Sequence, residues 1–274
     1  MSQLIGKILI ASAFNEYFVN ISKSVQVPDD ARPNFEKLSD YLRNRSDGSS
    51  FCIPQMTVNY VRKELKKCKS TGVDNVNAKL LRLGASVISG TLTRILNFGF
   101  DSATVPSILK CARVVPLYKG SGKLSELTSY RPISILPAIS KVVEKHVHSS
   151  LYEFLSDRNL LFENQSGFRK HHSCQTALLR ITDELLGNLD KGNPSGVVFL
   201  DLSKAFDLVN HSFLLEKMSL YGVSTHALDW FKSYLIGRKQ VVNYFGKVSD
   251  IRKVISRSLV PCFFQFLLMT SPCL

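Results

Sequence analysis

The sequence predicts an α+β fold, and three observations carry that reading. Apolar residues recur at helical spacing, as in Val58, Val61, Leu65 and Cys68 and again in Ile139, Val142, Val143, Val147, Leu151, Phe154 and Leu155. Val114, Val115, Leu117 and Tyr118 read as a strand that enters a glycine-containing turn at Gly120 and Gly122. Val197, Val198, Phe199 and Leu200 form an apolar run, opened by Pro194 and Gly196, that suits a strand covered on both faces and ends at Asp201.

Taken in order, the chain opens with a short helix containing Phe14, Tyr17 and Phe18. The apolar run Leu4 to Ala13 ahead of it is interrupted by Lys7 and has no basic residue before it, which argues against a signal peptide. A polar stretch with little periodicity, Pro28 to Pro54, reads as a linker, so residues 1–56 are linker-like. From Thr57, a plausible N-cap, a helix runs towards Gly72 and a helical array follows as far as Pro106. The strand and turn come next, then the helix that begins near Ile139, then another marked by Leu178, Ile181, Leu185 and Leu189. The tail Leu259 to Leu274 is apolar but too short to cross a bilayer, and Pro261 and Pro272 break it. There is no internal repeat or low-complexity tract.

With 35 Lys and Arg against 22 Asp and Glu, the net charge is +13, a surplus that favours polyanions such as nucleic acid. No run of five or more like charges marks a dedicated basic arm. The six cysteines show no CxxC pairing, so neither a zinc site nor a disulfide framework is indicated, and reduced thiols in the cytoplasm or nucleus are the simplest reading. The six histidines, His171 and His172 included, lack metal-ligand spacing and read as polar surface or nucleic-acid-facing residues.

The segment Val197 to Asp207, VVFLDLSKAFD, carries the chemistry. An acid at the end of a buried strand can hold a metal, although an Asp in that position can also cap the following helix. Together with Leu208 to His211 (LVNH), this segment resembles the first metal-binding motif of reverse transcriptases from LINE-type (non-LTR) retrotransposons. Further matches stand in the order of that family: KSTGVDNV (Lys69 to Val76), VVPLYKGSGK (Val114 to Lys123), SYRPISILPAISKVVEK (Ser129 to Lys145), NQSGFRKHHSCQTAL (Asn164 to Leu178) and GVSTHALDWFKSYLIGRKQVV (Gly222 to Val242). The similarity runs from about Thr57 to Ser258, and a string of ordered motifs is more specific than any one of them.

The resemblance implies the fingers and part of the palm of a right-hand polymerase: a helical and fingers region over 57–190 and a partial palm over 191–258. It implies attack of a primer 3′ hydroxyl on the α-phosphate of a deoxynucleoside triphosphate, copied from an RNA template, with Mg²⁺ or Mn²⁺ as cofactor. Asp201 is the implied catalytic metal ligand, helped by the backbone carbonyl of Leu202. Phe206 would lie under the sugar and reject a ribose 2′-hydroxyl, with ordinary core packing as the alternative, and Asp207 reads as a structural hydrogen-bonding or capping acid. Lys119 and Arg131 would hold the incoming triphosphate, although Lys119 sits in a lysine-rich loop and reads almost as well as a solvated charge. Gln165, Phe168 and Arg169 would line the template path. An endonuclease domain ahead of Met1 is also implied.

One departure limits the catalytic reading. The family carries a second acidic motif, an aromatic followed by Ala and paired Asp on a β-hairpin, and no Asp follows Asp250 here. The uncharged tail Cys262 to Leu274 (CFFQFLLMTSPCL) matches nothing in the family, yet read two nucleotides late its codons allow the string LFSIFIND, which resembles the sequence before that hairpin. The expectation is therefore a frame lost between about Ser258 and Cys262, a frame-shifted tail over 259–274, and a polymerase-derived chain that is inactive as written. The competing expectation is a non-catalytic remnant that binds nucleic acid through its basic residues, or has no function.

Overall fold

Thr57 behaves as a threonine ahead of an apolar run should: its side chain accepts a hydrogen bond from the Tyr60 amide at 3.2 Å and starts a helix. The computed structural model describes residues 2–20, 35–43, 48–69, 71–201 and 209–254. The described helices are α1 (Ser2–Asn20), α2 (Glu36–Arg43), α3 (Val58–Leu65), α4 (Ala78–Asp101), α5 (Ala138–Asp157), α6 (Cys174–Asp190), α7 (His211–Leu220) and α8 (Thr225–Leu235). The strands are β1 (Cys111–Tyr118), β2 (Tyr130–Ile135), β3 (Lys239–Tyr244), β4 (Lys247–Val248) and β5 (Arg252–Lys253). The mixture of helix and sheet agrees with the α+β reading. Asn77 caps α4 by accepting from the Lys79 amide at 2.8 Å, and Ser173 and Thr176 close a reciprocal capping box on α6.

The main core lies between helices. Val61 and Leu65 of α3, Phe100 of α4, Val147, Leu151 and Leu155 of α5, Met218 of α7 and Phe231 of α8 are all buried. The Trp230 ring stacks on Tyr234 at a centroid distance of 5.5 Å and meets Phe100 at 5.6 Å. Full burial of each such apolar side chain contributes about 1.5–3 kcal/mol. The segment read as linker-like takes part too: Leu38 and Leu42 of α2 are buried, and Phe51 exchanges backbone hydrogen bonds with Gly222 and Ser224 at 2.7 and 3.0 Å. A single turn's worth of apolar residues in a polar stretch is too little for a periodic signal. His146, read as a surface residue, instead packs between the rings of Tyr60 and Phe100 and donates from Nε2 to the Pro54 carbonyl at 2.7 Å. Burial lowers its pKa.

The sheet runs in the order β2-β1-β3-β4, with β5 also paired to β3. β1 and β2 form an antiparallel hairpin, whereas β1 and β3 are parallel neighbours, so the chain between β2 and β3 acts as the crossover that a parallel pair requires. One face of the sheet presents Ala112, Val114 and Val242 to Phe14 and Phe18 of α1, forming a second, smaller core. The other face carries Arg113, which donates to the Thr71 carbonyl, and the exposed Leu117, Arg131 and Ile133. Gly72 permits a close crossing, because a Cβ there would lie 2.6 Å from the Pro137 Cα at the start of α5.

The expected strand over Val197–Leu200 is not formed. Residues 193–200 have no regular structure, and Val198, Phe199 and Leu200 are 82%, 84% and 87% exposed. An apolar run of this kind becomes a strand only with a hydrogen-bonding neighbour and layers on both faces. No described strand lies alongside it, and α6, which precedes it, buries none of its residues.

Candidate functional site

The β1–β2 hairpin positions the basic residues singled out in the sequence. Cross-strand pairing sets Leu117 opposite Arg131 and Tyr118 opposite Tyr130, so the two tyrosines share one face and Leu117 and Arg131 the other. Lys119, one residue beyond β1, continues the ladder through its amide to the Ser129 carbonyl at 2.9 Å. Its ammonium donates to the Thr128 carbonyl at 2.6 Å, which ties it to the turn. Arg131 is exposed and has no hydrogen-bond or ion-pair partner among the described residues. The turn itself depends on Gly122, whose φ of +85° suits glycine and whose Cβ, if present, would run into Ser129 Oγ.

The segment between α5 and α6 holds the three residues expected on a template path. Phe168 is half exposed, with a left-handed φ of +58°. Gln165 is buried and donates to the Gly167 carbonyl at 3.0 Å. Arg169 donates to the carbonyls of Phe162 and Glu163 at 3.0 and 3.4 Å, and Arg180 from α6 donates to Glu163 and Asn164 at 3.2 and 3.0 Å. The two guanidiniums thus brace the loop on which the half-exposed Phe168 sits.

A family model described as "Reverse transcriptase (RNA-dependent DNA polymerase)" matches residues 119–261, more than half of the chain. The chain belongs to the reverse transcriptase family. It is 33% identical over 206 residues to "Probable RNA-directed DNA polymerase from transposon BS" of Drosophila melanogaster, covering 73% of this chain and 22% of that protein. It is 35% identical over 190 residues to the corresponding protein "from transposon X-element" of the same fly, covering 68% and 20%. It is 28% identical over 189 residues to "RNA-directed DNA polymerase from mobile element jockey" of Drosophila funebris, covering 69% and 20%. This is a reverse transcriptase domain of a LINE-type retrotransposon, and it spans about a fifth of the length of those relatives.

Reverse transcriptases use divalent metal ions, and the described residues of this one do not fit a two-ion site. Asp201 is exposed and has no regular structure, and no group of three or more His, Cys, Asp or Glu among the described residues is placed to hold a metal. Leu202, Phe206 and Asp207 lie outside the described residues.

Two clusters in this reverse transcriptase were not legible in the sequence. Glu64 of α3 bridges Lys67 and Lys145 at 2.7 Å each, in a basic cleft of about 240 Å³ completed by Lys69 and Lys141. Burial acts to raise the Glu64 carboxyl, but hydrogen bonds and charge from Lys145 and Lys67 outweigh it and hold the group below the usual glutamate range. Between α5 and α8, Tyr234 donates to Glu144, while the Arg238 guanidinium lies 4.8 Å from the Tyr234 ring centroid and donates to the Tyr234 carbonyl at 3.3 Å. Burial pushes the Glu144 carboxyl up despite Tyr234 and Arg238. Only the lysine-rich run Lys66 to Lys69 hinted at the first cluster. The second draws on residues 94 positions apart and had no sequence signal.

Proposed function

We infer that this chain supplies the nucleotide-holding and template-holding part of an RNA-directed DNA polymerase, the fingers and part of the palm of a right-hand architecture. Its partners are an RNA template, a DNA primer and deoxynucleoside triphosphates. The observation that carries this reading is the exposed Arg131, without a hydrogen-bond or ion-pair partner among the described residues, beside Lys119 within the matched region. A guanidinium fork in that state can take two phosphate oxygens at once, and an ammonium adds a point charge. By the resemblance, Asp201 and Leu202 belong to the metal end of the intact polymerase's site and Phe206 to its sugar gate, and Phe168 stacks on the template beside Gln165 and Arg169.

The second acidic motif is not among these 274 residues, since neither Asp nor Glu follows Asp250. Primer extension by this chain alone is therefore expected to fail even though template–primer is bound. Extension on an RNA template with Mg²⁺ or Mn²⁺ tests this. Product that disappears in Asp201→Ala would restore the catalytic reading, whereas failure to bind template–primer at all would leave a remnant without function. The family match stops at residue 261, next to the uncharged tail, which supports a frame change there. Sequencing the transcript across codons 255–274 tests that reading, which survives only if the shifted frame encodes an aromatic-Ala-Asp-Asp hairpin.

A further inference from the structure

A pocket of about 590 Å³ opens on the sheet face opposite Arg131, and nothing in the polymerase reading uses it. It is lined mainly by Pro116, Tyr118, Leu124, Tyr130, Tyr244 and Phe245, a size and an aromatic character suited to a small planar ligand. Its walls are fixed. Tyr118 donates its hydroxyl to the Gly122 carbonyl at 2.6 Å and Tyr130 to the Leu124 carbonyl at 2.9 Å, so the hairpin turn holds both rings. Tyr130 packs edge-on to Tyr118 at 5.6 Å, while Phe14 of α1 backs Tyr130 at 4.8 Å and Tyr244 at 5.7 Å.

Phe245 is the unusual member. The β3–β4 connection is a two-residue turn in which Phe245 and Gly246 have φ of +47° and +79°. Such turns favour Asn, Asp or Gly at the first position, and a bulky residue held there costs about 1–2 kcal/mol. Phe245 occupies it as a residue 76% exposed, with its ring edge-on to Tyr244 at 4.8 Å. A residue that is poor for its backbone and poorly hidden from water gains nothing from folding, which points to a surface role. The surroundings are basic. Lys7 of α1 lies 5.8 Å from the Phe245 ring centroid, Lys247 follows the turn, and Lys123 precedes the lining residue Leu124 and pairs with Glu126 at 4.0 Å.

We propose that this aromatic pocket is a stacking site for an unpaired base of single-stranded nucleic acid, with the surrounding lysines taking the phosphates on either side. Aromatic rings stack on any base, and lysines on more than one rim suit a strand that enters and leaves, where a free mononucleotide would use one. A duplex keeps its bases stacked internally and cannot fill the pocket. The site lies on the face away from Arg131 and is read by binding alone, so it stands or falls separately from polymerisation.

The test is fluorescence anisotropy of the 274-residue chain with three probes of equal length: oligothymidylate, the same backbone without bases, and a duplex. Oligothymidylate is expected to bind about tenfold more tightly than the abasic strand. Phe245→Asn should clearly reduce that preference, leaving what Phe168 contributes, while raising thermal stability, because Asn suits the turn; opposite signs separate a binding role from a folding one. Leu124→Glu, on an exposed residue at the rim, should weaken oligothymidylate similarly without unfolding the chain. Equal binding of the based and abasic strands, or an unchanged preference in Phe245→Asn, overturns the proposal. So does displacement of the strand by thymidine monophosphate at equal nucleotide concentration, which would mark a free-nucleotide pocket.

Discussion

At the scale of single residues, what matters most is which polar groups are already engaged. Lys119 and Arg131 look equivalent in a motif, but the Lys119 ammonium is held by the Thr128 carbonyl whereas Arg131 is open. Arg131 should therefore contribute more to triphosphate binding than Lys119. Arg131→Ala is expected to weaken binding of a deoxynucleoside triphosphate about tenfold or more, in line with the loss of charge-assisted hydrogen bonds, and Arg131→Lys to recover only part of it. Calorimetric titration with all three chains checks this, and equal affinities would remove Arg131 from the site. The same distinction applies to Arg169, which was expected on the template path and spends hydrogen bonds on bracing its own loop.

At the scale of elements, helices that look alike in sequence differ in how far they are buried. Leu151 of α5 is 0% exposed and Leu178 of α6 is 62% exposed, although both sit on apolar stripes. Leu151→Ala should cost about 2–5 kcal/mol in urea unfolding, and Leu178→Ser about 0.5 kcal/mol or less. Similar costs for the two would mean that α6 is covered in solution. Glu64 ties α3 to α5 and gives a pH prediction. Its folded pKa is depressed, so the stabilisation is fully present above the ordinary glutamate pKa and is lost as pH falls through the lower folded value. Glu64→Gln should flatten that acidic limb of the melting-temperature profile, and an unchanged limb would assign it to other carboxylates.

At the scale of the whole molecule, charge and topology act together. A net charge of +13 predicts that affinity for single strands falls with salt, with a log-log slope of about −0.7 for each phosphate contacted; a flat dependence would rule out a basic binding surface. Much of the fold was legible because it is local. The Thr57 cap, the apolar stripe of α5 and the strand leading to Gly120 and Gly122 each depend on residues a few positions apart. The ordered motifs identified the family for the same reason, since they are short strings in sequence. The failures were non-local. Val197–Leu200 had the composition of a buried strand, but composition cannot supply a neighbouring strand. The parallel pairing of β1 with β3, the packing of α1 on the sheet, the Glu144–Tyr234–Arg238 cluster and the aromatic pocket all join segments 90 or more residues apart. Short-range spacing and composition were enough for α3, α5, α6, the hairpin, the charge and the family, but not for α2, α7 or α8. Only the tertiary structure decided which apolar faces are covered, which cations are engaged and which aromatics share a pocket, because those depend on which distant segments pack together.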